Sequence, residues 1–121
     1  MTKNTNSKQY DLEDRTLEFA KNVRAFVKKL HKSIPNNEDS KQLVRSSGSV
    51  GANYIEANES LSKKDFIMRI KISRKESKES RYWLKLVDVY DNHKLEKDRN
   101  SLINEATELM NIFSAIVQKS K

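Results

Sequence analysis

Between Phe66 and Tyr90, the residues Phe66, Ile70, Ser73, Ser77, Ser80, Leu84 and Val87 follow alternating steps of four and three. That spacing keeps one stripe of a helix turned toward a neighbouring helix; a strand would alternate every second residue instead. Lys64, Lys71, Lys78 and Lys85 recur every seven residues on the outer side of the same helix. Arg74, Lys75 and Arg81 fall beside them, and Asp88 is the one acid there. Glu76 and Glu79 lie toward the seam, next to Ile72, Trp83, Leu86 and Tyr90. A helix with a basic outer face and carboxylates on its inner side belongs to a packed bundle that binds something, not to a catalytic pocket.

Three further segments carry the same period. Leu12, Thr16, Phe19, Val23, Phe26 and Leu30 mark a first helix over about 12–33, widened by Ala20, Val27 and Ile34. Asp11, Glu13 and Asp14 stand near its start, and Lys28, Lys29 and Lys32 near its end, as the helix dipole favours. Pro35, Asn36 and Asn37 end it and cap a second helix over about 38–60, with Leu43, Ser47, Val50, Tyr54 and Leu61 on its seam. Ser62 and Asp65 resemble a capping box for the third helix, about 63–91. A turn over residues 91–94 precedes a fourth helix, about 95–118, through Leu95, Leu102, Ala106, Leu109, Phe113 and Ile116. Short connections between helices of this length predict an all-α, antiparallel up-down-up-down four-helix bundle over residues 11–121, after a leader at residues 1–10.

With 121 residues there is room for one domain. Apolar residues are 36% and charged residues 34%, which suits narrow helices with much surface per residue. The net charge of +7 is uneven: residues 1–35 and 62–93 each carry +4, and residues 36–61 carry −2. That excess favours contact with a polyanion. Absence of cysteine excludes disulfides, thiolate catalysis and sulfur-ligated metals. The N-terminus lacks an apolar signal segment and no apolar run reaches about 18 residues, so a cytoplasmic protein without membrane contact is expected.

Gly48 and Gly51, in the run SSGSVGA, each cost a helix about 1 kcal/mol relative to alanine. Close approach of another helix is the physical compensation. A phosphate-gripping GxxG turn of the KH type would need a β-α-α-β setting that this chain lacks. Glu76 and Glu79 on an inner face need cations, and Arg45 and Arg69 are available, with Asn53 and Tyr54 as further donors; structural ion pairs of Arg45 with Glu76 and Glu79 are expected. A carboxylate metal cluster built on Glu56, Glu76 and Glu79 would require Glu-x-x-His pairs, and His31 and His93 follow no glutamate at that spacing. No nucleophile–base pair or phosphate loop is present, so no catalytic residues, metal or cofactor are assigned.

Trp83, Leu86 and Tyr90 broaden the apolar side of the third helix beyond one seam, which marks either core or a subunit interface. The lysine face, with Met68 and Tyr82 among its cations, suits a nucleic-acid backbone with occasional base stacking. The candidate contacts are Lys64, Lys71, Arg74, Lys75, Lys78, Arg81 and Lys85, with a second stripe at Lys21, Arg24, Lys28 and Lys32. No helix-turn-helix, RRM or zinc module supports sequence readout. A protein-interaction scaffold whose lysines only keep it in solution is the alternative.

The runs from Arg45 to Ala57 (RSSGSVGANYIEA), Ser62 to Phe66 (SKKDF) and Ile72 to Leu84 (ISRKESKESRYWL) resemble the bacterial four-helix proteins encoded in intervening sequences of 23S ribosomal RNA genes. The resemblance covers roughly residues 10–115, and that family is similar in turn to the accessory variability determinant of diversity-generating retroelements. It implies a ring-like homopentamer with a basic surface; the retroelement relatives bind nucleic acid and a reverse transcriptase. The family glutamate of the third helix falls on Glu79, whereas Glu56-Ala57-Asn58 departs from the common Ala-Glu-Gly. No catalytic residues are implied.

Overall fold

The computed structural model describes residues 12–121. The leader expected at residues 1–10, and Asp11, lie outside them. Four helices follow: α1 (Leu12–Lys29), α2 (Ile34–Asn58), α3 (Lys63–Leu86) and α4 (His93–Ser120). Each packs on its neighbours in sequence and α1 closes on α4, while α1–α3 and α2–α4 are the diagonal pairs, their backbones apart and α2–α4 touching only through core side chains such as Tyr54 and Phe113 among the described residues. Polar contacts fix the directions. Ser46 faces Ser80 and Asn53 faces Arg69, so α2 and α3 are antiparallel; Arg81 reaches Thr107 and Arg74 reaches Ser114, so α3 and α4 are too. The result is the up-down-up-down bundle.

The predicted seams supply the core. Phe19, Val23 and Phe26 of α1, Leu43 and Val50 of α2, Ile70 and Leu84 of α3, and Leu102, Leu109 and Phe113 of α4 are buried in one cluster. Leu61 is fully exposed in the α2–α3 turn instead of lying on a seam. Between α2 and α3 the core narrows to serines. Ser46 Oγ and Ser80 Oγ are 2.8 Å apart, and Ser73 Oγ donates across the seam to the Val50 carbonyl at 2.9 Å. Only small side chains let one helix hydrogen-bond the backbone of the next, so Ser46, Ser47, Ser73, Ser77 and Ser80 are all fully buried.

The two glycines separate. A Cβ on Gly51 would lie 2.7 Å from Thr16 Oγ1 and 3.1 Å from Thr16 Cβ. Thr16 is buried and its hydroxyl donates to the Leu12 and Glu13 carbonyls, so it has no room to yield. Close helix approach therefore accounts for Gly51. It does not account for Gly48, where a Cβ would meet only Arg24 Nη2, at an ordinary 3.6 Å.

Helix boundaries differ from expectation where caps were misjudged. α1 stops at Lys29, and α2 starts at Ile34, because Ser33 is the N-cap: its Oγ accepts from the Asn36 N–H at 3.2 Å, with Pro35 in the first turn. Asn36 does something else. Its Nδ2 donates to the His31 carbonyl (3.0 Å) and the Asp88 carbonyl (2.9 Å), and its Oδ1 accepts from the Asp88 N–H (2.9 Å). One buried amide thus joins the α1–α2 and α3–α4 turns into a single end of the bundle. α3 ends at Leu86, not near 91, and its turn holds Tyr90 and Asp91 at φ 51° and 58°, a left-handed backbone that costs an ordinary residue about 1 kcal/mol or more. Asn92 caps α4. At the other end the Ser62 hydroxyl accepts from the Asp65 N–H, one half of the expected box.

Candidate nucleic-acid interface

The outer face of α3 is set by the same period that builds its seam. With Ile70, Ser73, Ser77, Ser80 and Leu84 turned inward, Lys64, Lys71, Lys75, Lys78 and Lys85 have no choice but solvent, and all five are exposed. Among the described residues, none of the five has a carboxylate within 4.0 Å; the ion pairs belong to Arg15, Lys29, Lys41 and Arg45. Arg74 and Arg81 leave the row. Both are half-buried and lean onto α4, where Arg74 Nη1 donates to Ser114 Oγ (3.4 Å) and Arg81 Nη1 to Thr107 Oγ1 (3.2 Å). On the wheel they stand on the α4 side of the lysines, so interhelical hydrogen bonding claims them.

Lys21, Arg24, Lys28 and Lys32 are exposed on and just beyond α1. Since α1 and α3 sit diagonally in the bundle, this second stripe faces away from the first, and the two do not form one surface. Within the α3 row, Ile67, Met68 and Ile72 floor an open groove of about 440 Å³ bordered by Lys64, Lys71 and Lys75. Tyr82 stands on the same face, edge-on to Trp83 at 5.0 Å between ring centres.

Arg45 Nη2 lies 3.4 Å from Glu76 Oε1 and 3.2 Å from Glu79 Oε1, at the α2–α3 shoulder. Glu76 is buried, and this guanidinium is its cation. Arg69 goes instead to Asn53 Oδ1 at 2.9 Å. Trp83 is half-buried against the core, Leu86 is half-exposed, and Tyr90 stacks edge-on to His31 at 4.7 Å.

Two features escaped the sequence reading. Arg15 of α1 grips Glu105 of α4 in bidentate fashion (2.7 and 2.8 Å) and also reaches Glu108 (2.6 Å). These hydrogen bonds, Glu105 first, hold the guanidinium above its ordinary pKa. The second feature is axial. The half of the bundle bearing the α1–α2 and α3–α4 turns, residues 24–45 and 78–102, holds twelve Lys and Arg against seven Asp and Glu. The remaining described residues hold ten against nine. Counting charge helix by helix hides this; counting it by helix halves, with alternate helices reversed, would have found it.

Among the described residues, no three His, Asp or Glu side chains converge as metal ligands, and no helix is long and apolar enough to cross a membrane. Fold and surface together define an all-α four-helix bundle with a free lysine row along one helix. The chain belongs to the family described as 23S rRNA-intervening sequence protein, whose model matches residues 8–115. It is also similar to the crystal structure of a protein of unknown function from the S23 ribosomal protein family of Bacteroides thetaiotaomicron VPI-5482. The two are 31% identical with a TM-score of 0.73, over 87% of this chain and 96% of that one. No curated protein matches.

Proposed function

We propose that this chain is a non-enzymatic accessory protein that assembles with copies of itself and lays lysines on the phosphates of RNA or DNA without reading sequence. The observation that carries this reading is the α3 row, five exposed lysines with no carboxylate in reach among the described residues. Each lysine set against a phosphate releases condensed counterions, so binding is driven by charge and weakened by salt. A straight helix face suits a phosphate track, whose contacts position a protein without carrying sequence. The family description, which ties its members to intervening sequences of 23S rRNA, accords with a nucleic-acid setting.

The test is filter binding across a salt series with Lys71, Lys75 and Lys78 replaced together by Glu. The parent should bind at low salt, and the variant should lose affinity and about three from the log–log salt slope. A parent that binds nothing at low salt, or a variant indistinguishable from it, removes the reading.

Self-assembly is supported by apolar side chains that one protomer leaves uncovered. Leu17 (52% exposed) and Ile55 (48%) stand in the α1–α2 groove, and Leu86 (49%) stands near the opposite end on α3. Two unlike patches suit a heterologous contact, which makes a ring where the rotation between protomers closes, and a ring of five is what the family resemblance implies.

The groove of Ile67, Met68 and Ile72 among lysines favours a second reading, a scaffold for another polypeptide. Retention of a partner on the immobilised protein after nuclease treatment would favour it over nucleic acid.

A further inference from the structure

The α1–α2 turn shapes a second cleft, of about 480 Å³, at the cationic end of the bundle. Clefts for small organic groups measure roughly 300–1,000 Å³. Its floor is apolar, from Val27, Leu30 and Val44; its rim carries Lys32, Lys41 and His31; among the described residues no carboxylate lines it. Asn37 and Ser40 add polar side chains at the edge. Arg45 also borders the cleft but is engaged by Glu76 and Glu79. Lys41 meets only the exposed Glu38, at 3.3 Å, an ion pair that water screens.

Over the rim stands an aromatic pair held in place by the backbone. Tyr90 sits edge-on to His31, 4.7 Å between ring centres, and remains 51% exposed. It is kept there by a left-handed φ of 51° and by its own N–H donating to Asp88 Oδ1 at 2.7 Å. Asn36 ties the Asp88 backbone to the His31 carbonyl, so a buried amide holds together the two turns that carry the rings. Strained backbone that presents a half-exposed aromatic ring beside a cationic cleft is a feature that packing alone does not require.

We propose that this end of the bundle binds single-stranded nucleic acid, taking one unstacked base into the Val27–Leu30–Val44 cleft and stacking a neighbour on Tyr90, with Lys32 and Lys41 on the phosphates. The proposal rests on the nucleic-acid reading above and adds to it a strand class and a site. A duplex presents only phosphates and groove edges to a convex helix face, whereas an apolar concave floor has affinity for a base face that pairing would hide. Lys32 and Lys41, which lie outside the α3 row, hold the flanking phosphates.

The test is fluorescence anisotropy with labelled oligo(U), oligo(dT) and a duplex, each of about eight nucleotides or base pairs, a length within the range such sites span. The full chain is compared with Tyr90→Ala, Tyr90→Phe and Ser40→Glu, and light scattering follows the assembly. Tyr90→Ala and Ser40→Glu should each weaken single-strand binding at least about fivefold and move duplex binding by less than about twofold, with Tyr90→Phe close to the parent. Unchanged single-strand binding in both variants, or equal losses on single strand and duplex, overturns the cleft and leaves the α3 reading standing. A mononucleotide that competes as well as the oligonucleotide also overturns it, as does a fall in assembly mass on Tyr90→Ala. A parent that binds neither single strand nor duplex at low salt ends both readings. Ser40 is half-exposed, so its variant decides the matter even if Tyr90→Ala fails to fold.

Discussion

Gly48 and Gly51 share a helix, a run and a spacing, yet a methyl group added to each has opposite consequences. At Gly48 the new Cβ meets nothing closer than 3.6 Å, so Gly48→Ala gains the helix propensity that glycine lacks, up to about 1 kcal/mol. At Gly51 the same methyl is driven to 2.7 Å from Thr16 Oγ1, and overpacking of that kind costs about 1–3 kcal/mol. Urea unfolding of dilute protein should therefore show a higher midpoint for Gly48→Ala and a lower one for Gly51→Ala. Pairing Gly51→Ala with Thr16→Ala should recover most of the loss, because the clash has a single partner. Equal shifts of the same sign in both single variants would contradict the assignment of close approach to Gly51 alone.

At the scale of elements, α1 is the lightly held helix. It packs on α2 across Gly51 and on α4 through Arg15, whose three contacts to Glu105 and Glu108 add to the apolar seam of Phe19, Val23 and Phe26. Arg15 is partly exposed, so the network is screened and is worth about 1 kcal/mol, bidentate geometry included. Arg15→Gln should lower the melting temperature by a few degrees, and a double-mutant cycle with Glu105→Gln should return a coupling of about 0.5–1 kcal/mol that shrinks in high salt. Since the guanidinium's pKa is raised in the fold, its contribution is complete below the ordinary arginine range and is lost only as pH climbs past it. From neutral pH upward, salt is therefore the variable that moves it. A cycle energy of zero at low salt would mean that α1 is held by Phe19, Val23 and Phe26 alone. Element number, direction and seams were legible in the sequence because apolar and serine positions repeat at 3.5 residues, and burial enforces that period. Contacts such as Arg15–Glu105 were not, since 90 residues separate the partners and nothing local marks them. Helix ends were half legible: Ser62 announced its own cap, but Pro35 drew attention from Ser33, and Asn36, which looked like a cap, is consumed in joining two turns. The lysines of α3 were readable as outward because their seam was. Arg74 and Arg81 were not, because a long guanidinium at the edge of a stripe turns toward whichever helix offers an acceptor.

For the whole molecule, the residue that points beyond the protomer is Gly48, which bears a helix cost that no neighbour among the described residues requires. It floors the groove where Leu17, Ala52 and Ile55 are uncovered, and a second protomer pressed into that groove would use the depth its missing side chain leaves. The complementary patch is Leu86, near the other end of the bundle and on another helix, so one protomer's groove would receive its neighbour's α3. This geometry is heterologous, and it makes a prediction that an isologous dimer does not. Leu17→Glu should break the groove side and Leu86→Glu the α3 side, each reducing the mass in light scattering to one protomer while circular dichroism keeps its helical signal. Mixed in equal amounts, the two should form a species of two protomers, because one intact groove still meets one intact α3 patch, but the damaged surfaces at its ends prevent closure. In an isologous dimer built from one patch, the variant of the other patch would keep the parent's mass on its own, before any mixing. Gly48→Ala should behave as a milder groove variant, more stable as a protomer and weaker in assembly. A parent of one-protomer mass at concentrations that load the wild-type surface would remove the ring, and leave Gly48 a cost without a function.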